Sequence, residues 1–321
     1  MKVLLVVLIA AFWAHTAFSQ NYPARPIRML LPQPPGGTME TVARELAEYL
    51  VRGLGQNIVI DNRSGANGII AAETLARANP DGYTLLYTSA SLANNQLVMK
   101  KPTFDTLRDF APVTQVNSLP GYLVLVGAQV PAQNLQALID LSKNPKTPVH
   151  YGSSGVGNSQ HLLGELVNAR TGAQFRHVPY KGFAPILTAV MGNEIQVAFG
   201  APTTTVTHIK AGRLRALAYT GAQRWQGMPE LPTLSEAGAK GLVYEASWHG
   251  IFAPARTPPA ILVRLQSEVR EAVHAPKMRA SLEAGGHVPI GSTGEGFRRR
   301  FLVEYFEATA EQMRIARIEQ Q

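Results

Sequence analysis

The sequence contains no cysteine. Disulfides, thiol nucleophiles and cysteine-ligated metals are therefore excluded. Charge is scarce, at 16 % of residues, and acids are fewer than bases: 22 Asp and Glu against 30 Lys and Arg, a net charge of +8. A nucleic-acid binder would gather such an excess into a basic patch with interleaved aromatics. Here the one dense basic run is Arg298-Arg299-Arg300, which reads as a solvated helix face. Long apolar runs are missing after the first residues. Complete phosphate motifs are missing too. There is no G-x-x-x-x-G-K-[ST], and Gly155-Val156-Gly157 opens a G-x-G-x-x-G that fails at Gln160. Gly152-Ser153-Ser154-Gly155 lacks the residue after serine that a G-x-S-x-G nucleophile elbow needs. No H-E-x-x-H, H-x₃₋₅-H or acidic calcium loop is present, so neither a metal nor any other cofactor is expected.

What is present begins with a leader. Met1-Lys2 is a short basic start, and Val3–Trp13 is almost unbroken apolar sequence, too short for a membrane-spanning helix of ~20 residues. Ala17-Phe18-Ser19 offers small residues at a cleavage site. Residues 1–19 read as a secretory signal peptide. Its removal takes away one lysine and leaves a net charge of +7.

The remainder alternates β-rich runs with helical patterns, which predicts an α/β fold. Ile27–Leu31 reads as a buried strand. Met39, Val42, Ala43, Leu46, Ala47 and Leu50 then form the apolar stripe of a helix. Further strands are expected at 57–61 and 83–88, with a helix over 69–78 between them. Around 111–126 two apolar runs flank Leu119-Pro120-Gly121 with no helix between, as in a crossing between lobes. A second α/β unit follows, and an extended run at 246–254 reads as the return crossing. The tail is helical, and Ser292 with Glu295 reads as the capping box of its last helix. The spacing predicts lobe 1 over 20–118 plus 249–321 and lobe 2 over 119–248, with a hinge and a cleft between them.

Four loops share one design: LPQPPGG, DNRSGANG, YGSSGVGNS and VPYKGFAP each leave a strand, use glycine and enter a helix. Ligands of open α/β sheets bind at such carboxyl ends. Helix N-termini there offer unpaired N–H groups and about half a positive charge. Ser153, Ser154, Asn158 and Ser159 add neutral donors. The arrangement suits a carboxylate held without a buried arginine. A serine hydrolase using Ser153 or Ser154 with His161, His177 or His249 remains an alternative.

The chain resembles the extracytoplasmic solute receptors of tripartite tricarboxylate transporters, the Bug or TctC family. The matching stretches run in order through the mature chain: Tyr22-Pro23, Pro35-Gly36-Gly37, Asp61-Asn62-Arg63, Pro80-Asp81-Gly82-Tyr83-Thr84, Tyr151-Gly152-Ser153-Ser154-Gly155, His177-Val178-Pro179-Tyr180-Lys181-Gly182 and Ser247-Trp248 with Gly250. The resemblance implies a type II-like periplasmic binding protein, two α/β lobes joined by crossing hinge strands. It implies a monomer that captures a small carboxylate in the periplasm for membrane permease subunits, or presents it to a periplasmic sensor. It further implies that Pro34, Pro35, Gly36, Gly37 and Thr38 face Ser153, Ser154, Gly155, Asn158 and Ser159 across the cleft. Ser89, Tyr180, Lys181, Gly182 and Gly200 contribute further.

Three positions depart from the family pattern. Glu40 stands where aspartate is usual, Gly200 where an acid is frequent, and Phe183 where serine or threonine is frequent. Glu40 is expected to point away from the cleft, where it would repel an anion. The pocket is expected to be less polar than usual.

Overall fold

The structure is a computed structural model that describes residues 22–316, 318 and 320. The expected signal peptide lies outside the described residues. The chain runs β1 (Ile27–Leu31), α1 (Thr38–Leu54), β2 (Ile58–Asn62), a 3₁₀ turn (Ala66–Gly68), α2 (Ile69–Ala76), β3 (Thr84–Ser89) and α3 (Ser91–Val98). There follow β4 (Phe110–Leu119), β5 (Leu123–Gly127), α4 (Leu135–Ser142), β6 (His150–Ser153), α5 (Ser159–Thr171), β7 (Arg176–Pro179) and α6 (Phe183–Met191). Next come β8 (Val197–Gly200), α7 (Pro202–Lys210), β9 (Leu214–Tyr219), β10 (Ser247–Pro254), α8 (Pro259–His274) and α9 (Pro276–Ala284). The chain closes with β11 (Val288–Pro289), α10 (Gly294–Phe297), a π-type turn (Arg298–Val303) and α11 (Glu304–Ile315).

Two mixed sheets result. One has six strands in the order β11-β4-β10-β3-β1-β2, the other five in the order β7-β6-β8-β5-β9. Each is built around three parallel strands, β2-β1-β3 and β7-β6-β8, with antiparallel strands added beside β3 and β8. The two faces of each sheet carry separate apolar clusters, so both lobes are helix–sheet–helix layers. Helix α1 shows how the sequence achieves this. Its six stripe residues are all buried, and Gly55 ends it in the left-handed conformation at φ 68°.

The crossings lie side by side. Only Pro120–Tyr122 separates β4 in one sheet from β5 in the other, and Ser247 at the start of β10 pairs with Leu119. Ala246 N–H donates to the Leu119 carbonyl at 3.0 Å, and Thr220 N–H to the Tyr122 carbonyl at 2.9 Å. The two connections thus form one hydrogen-bonded ribbon.

The expected capping box does not form, and the cap falls one residue later. Thr293 caps α10, its hydroxyl accepting from Gly296 N–H at 3.0 Å. Ser292 Oγ instead accepts from Gln115 N–H on β4, at 3.0 Å. Beyond this cap the tail crosses back. Met313 and Ala316 of the tail, assigned by the sequence to the first lobe, pack into the core of the five-stranded lobe.

Candidate functional site

In each sheet the first strand of a parallel triplet lies between the other two, so the loops at its carboxyl end diverge from those of its neighbour. Such switch points open a crevice. The two crevices, after β1 and β3 and after β6 and β8, face one another. Between them lies an outer chamber of about 510 Å³, to which all four glycine-bearing loops contribute, through Pro32–Pro34, Ser64–Asn67, Ser154–Val156 and Tyr180–Gly182. Beneath it is an inner chamber of about 80 Å³, which shares Gln33, Asn67, Ser91 and Ser154 with the outer one.

The inner chamber is ringed by helix starts. Met39 of α1, Ser91 of α3, Ser159 and Gln160 of α5, Phe183 of α6 and Ala201 before α7 all line it. The first N–H groups of these helices have no acceptor within their own helix, and each terminus carries about half a positive charge. Among the described residues, neither chamber is lined by an aspartate or glutamate. Among the described residues, Lys181, exposed at the outer rim, is the one lysine or arginine in the lining. The site therefore favours an anion through dipoles rather than through side-chain cations.

Glu40 keeps its charge out of this field. Its carboxylate folds back to accept from Gly36 N–H at 2.6 Å and from Arg44 Nε at 2.8 Å. Burial alone would raise its pKa, but these donors outweigh it and hold the carboxyl below its ordinary value.

The expected binding residues fall into two sets. Pro34, Ser154, Gly155, Tyr180, Lys181 and Gly182 line the outer chamber, and Ser89, Ser154, Asn158 and Ser159 the inner one. Pro35, Gly36, Gly37, Ser153 and Gly200 are not among the lining residues, and Thr38 opens α1. Much of the Y-G-S-S-G loop is spent on holding itself. Ser154 N–H and Oγ both donate to Gln160 Oε1 at 2.9 Å, and Gln160 Nε2 donates to the Phe199 carbonyl at 2.7 Å. Asn158 Oδ1 caps α5 by accepting from His161 N–H at 3.0 Å. Gly200 packs behind the Phe183 ring, where a Cβ would stand 2.6 Å from Phe183 Cζ.

These features have close counterparts. A family model described as "Tripartite tricarboxylate transporter family receptor" matches residues 42–303. The chain belongs to this receptor family. Protein BugT of Bordetella pertussis is 36 % identical over 283 residues, covering 87 % of this chain and 86 % of that one. The structure of the periplasmic binding protein BugD matches with a TM-score of 0.88 at 28 % identity, over 94 % of this chain and 100 % of that one. A protein of R. palustris solved with adipate matches with a TM-score of 0.86 at 31 % identity, again over 94 % and 100 %. The receptor shares their two-lobed periplasmic binding protein fold.

Within the receptor, the serine–histidine pair that would suggest a hydrolase is wired the wrong way. Ser153 Oγ lies 2.6 Å from His177 Nε2, but its hydroxyl donates to the Gly155 carbonyl at 2.9 Å. With the hydroxyl turned to that carbonyl, the His177 tautomer that donates to Ser153 completes the contact, and Ser153 is fully buried. Burial, followed by the neighbouring His161, lowers the His177 pKa to about 3. The imidazole stacks on His161 with ring centroids 3.9 Å apart.

Several lining residues of the candidate site were not expected as binding residues, among them Asn67, His249 and His287. Asn67, left-handed at φ 51°, reaches between the lobes: its Nδ2 donates to Asn95 Oδ1 at 2.8 Å and to the Val156 carbonyl at 3.4 Å. Its signal is the G-A-N-G run, where a strained backbone is held in place. His249 and His287 line the inner chamber. No local motif marks either.

Proposed function

We propose that the protein is a non-enzymatic periplasmic receptor that closes two lobes, 20–118 with 249–321 and 119–248, over a small organic acid. It hands the acid to the membrane permease subunits of a tripartite transporter. The observation that carries this reading is the ring of helix starts from both lobes around an inner chamber without acidic residues. A carboxylate there neutralises dipoles from both sides and so stabilises the closed form. Each terminus contributes about 0.3–1 kcal/mol and each charge-assisted hydrogen bond about 1.5–3 kcal/mol. A few of each suffice for the ~8 kcal/mol of a micromolar site after association costs. Family membership and the relative solved with adipate support a carboxylate as the ligand class. The monomeric state and the cleavage after Ser19 belong to the same proposal.

The test is a thermal-shift screen of residues 20–321 against mono-, di- and tricarboxylates. A ligand at a hundred times its Kd adds about 2.7 kcal/mol of stability. Ser154→Trp, which fills both chambers, is expected to abolish the shift while keeping the melting profile of the free protein. An unchanged shift in that variant overturns the site assignment.

A further inference from the structure

The inner chamber ends on two histidines that the dipole argument leaves unused. His249 lies on β10 and His287 immediately precedes β11, the strands on either side of β4. His249 pairs in register with Asn117, and Pro289 pairs with the same Asn117. The two imidazoles thus come together across one strand, with ring centroids 5.6 Å apart. His249 Nδ1 is engaged by the Tyr87 hydroxyl at 3.1 Å, leaving Nε2 as its other polar atom. His287 is 2 % exposed, and among the described residues neither of its ring nitrogens has a hydrogen-bond partner. A buried polar atom without a partner costs about 1–3 kcal/mol. An unpartnered, buried ring facing a polar chamber calls for an explanation, and a ligand group in the chamber would supply one.

The surroundings contain no charge to satisfy either ring. Strand β3 presents the Tyr87 phenol, which burial keeps protonated. Strand β4 presents the neutral amides of Gln115 and Asn117. Ser89 and Ser247 offer hydroxyls, while Met39, Phe183 and Ala201 close the remaining wall. Near the start of α7, Thr203 is occupied with the Gly285 carbonyl at 2.7 Å. On α9, Glu283 is exposed and turned to Arg279 at 2.8 Å.

We propose that His249 and His287 form a proton-accepting subsite at the floor of the cleft, which binds one carboxylate of a dicarboxylate and takes up a proton from solvent as it does so. The inference rests on the carboxylate-receptor reading and adds the ligand's second acidic group to it. In the free protein both rings are neutral, because burial disfavours imidazolium. A carboxylate placed against them reverses the balance: one ring gains a proton from water, and a buried imidazolium–carboxylate pair replaces an unpaired neutral ring. The net reaction is protein plus dianion plus one proton. Monocarboxylates of equal length fill the dipole site but leave this floor unmatched.

The experiment is calorimetry of residues 20–321 with adipate and, in parallel, hexanoate, in two buffers of different ionisation enthalpy at pH 6.5 and pH 8. Succinate and glutarate are run alongside adipate. Binding of a diacid is expected to take up close to one proton, and its affinity to rise up to tenfold per unit fall in pH. Hexanoate is expected to show neither effect. His287→Gln and His249→Asn, which keep donors but cannot titrate, are expected to abolish the uptake and to lower diacid affinity at pH 6.5 at least tenfold. Diacid binding without proton uptake by the wild-type protein overturns the inference and leaves the receptor reading standing. Failure of every acid to bind overturns both. The wild-type measurement decides even where a variant does not fold.

Discussion

Gly157 and Val98 meet across the cleft so closely that a Cβ on the glycine would stand 2.4 Å from Val98 Cγ2. Gly157 belongs to the loop before α5, and Val98 ends α3, which follows the six-stranded sheet's β3. Asn94 Nδ2 seals the same junction by donating to the Gly157 carbonyl at 3.2 Å. A methyl group at position 157 would therefore collide with Val98 in this arrangement of the two lobes.

Gly157→Ala is expected to hold the lobes apart and to lower carboxylate affinity tenfold or more, about 1.4 kcal/mol. Small-angle scattering would show a larger radius of gyration. The left-handed φ of 77° adds its own strain of roughly 1–2 kcal/mol. Adding Val98→Ala separates the two effects, since it relieves only the contact. Equal affinity in the single variant and the wild type would remove Gly157 from the closure.

Glu40→Gln tests the carboxylate that tethers the first glycine loop. The folded pKa of Glu40 lies below its unfolded value, so its contribution is present above the unfolded pKa and is lost as pH falls through the folded one. At pH 7 the variant should be less stable by about 1–3 kcal/mol. The gap should close as the wild type is acidified. A gap independent of pH would show that the charge is not what matters.

Two buried histidines and the half-buried His177 make the ligand-free protein acid-sensitive. Burial lowers His177 and His249 to about 3 and His287 to about 4, with a neighbouring histidine assisting the first two. Below pH 6.5 the unfolded chain binds more protons than the folded one, so stability is full above that pH and declines towards pH 3–4. Melting temperatures measured from pH 7.5 to 4.5 should fall, and fall less in His249→Asn. A flat profile over that range contradicts the burial of these rings as neutral groups.

Ser153 is expected to do no chemistry. Wild type and Ser153→Ala should show the same background rate with activated esters, while the variant loses about 1–3 kcal/mol of stability with its hydroxyl's hydrogen bonds. A serine-dependent rate above background would restore the hydrolase alternative.

Gly200→Asp should destabilise by about 1–3 kcal/mol, because its Cβ meets Phe183 Cζ and Thr205 Cγ2 at 2.6 Å each. Phe183→Ser in the same chain should recover part of the loss in denaturant titrations. No recovery would mean that the two departures from the family pattern are independent.

Much of this was legible in the sequence. The stripe of α1 is legible residue by residue, and in the helical tail Pro259 and Pro276 mark the starts of α8 and α9. Helix α3 was not expected. Its sequence SLANNQLV has no apolar stripe, because buried Asn94 and Asn95 point to a polar junction rather than a core. The four loops declared themselves through glycine, and each reaches the outer chamber. The two histidines did not. They are far apart in the chain, and only the insertion of β4 between β10 and β11 unites them. The capping box misled for a related reason, since Ser292 has a long-range claim from Gln115 that no local pattern reveals.

The tail helix has a mechanical consequence. Tyr305 rests edge-on against Trp248 at the base of one lobe, while Met313 is embedded in the other, and Gln320 Nε2 reaches the Leu97 carbonyl at 3.1 Å. The halves are thus fastened at three places, not two. A pair of adjacent strands lets the jaws swing and twist, whereas a stay fixed off that axis removes the twist. If the jaws part as proposed, α11 must slide along its seat or lift from it, which would tie the gape of the mouth to the grip of this last helix.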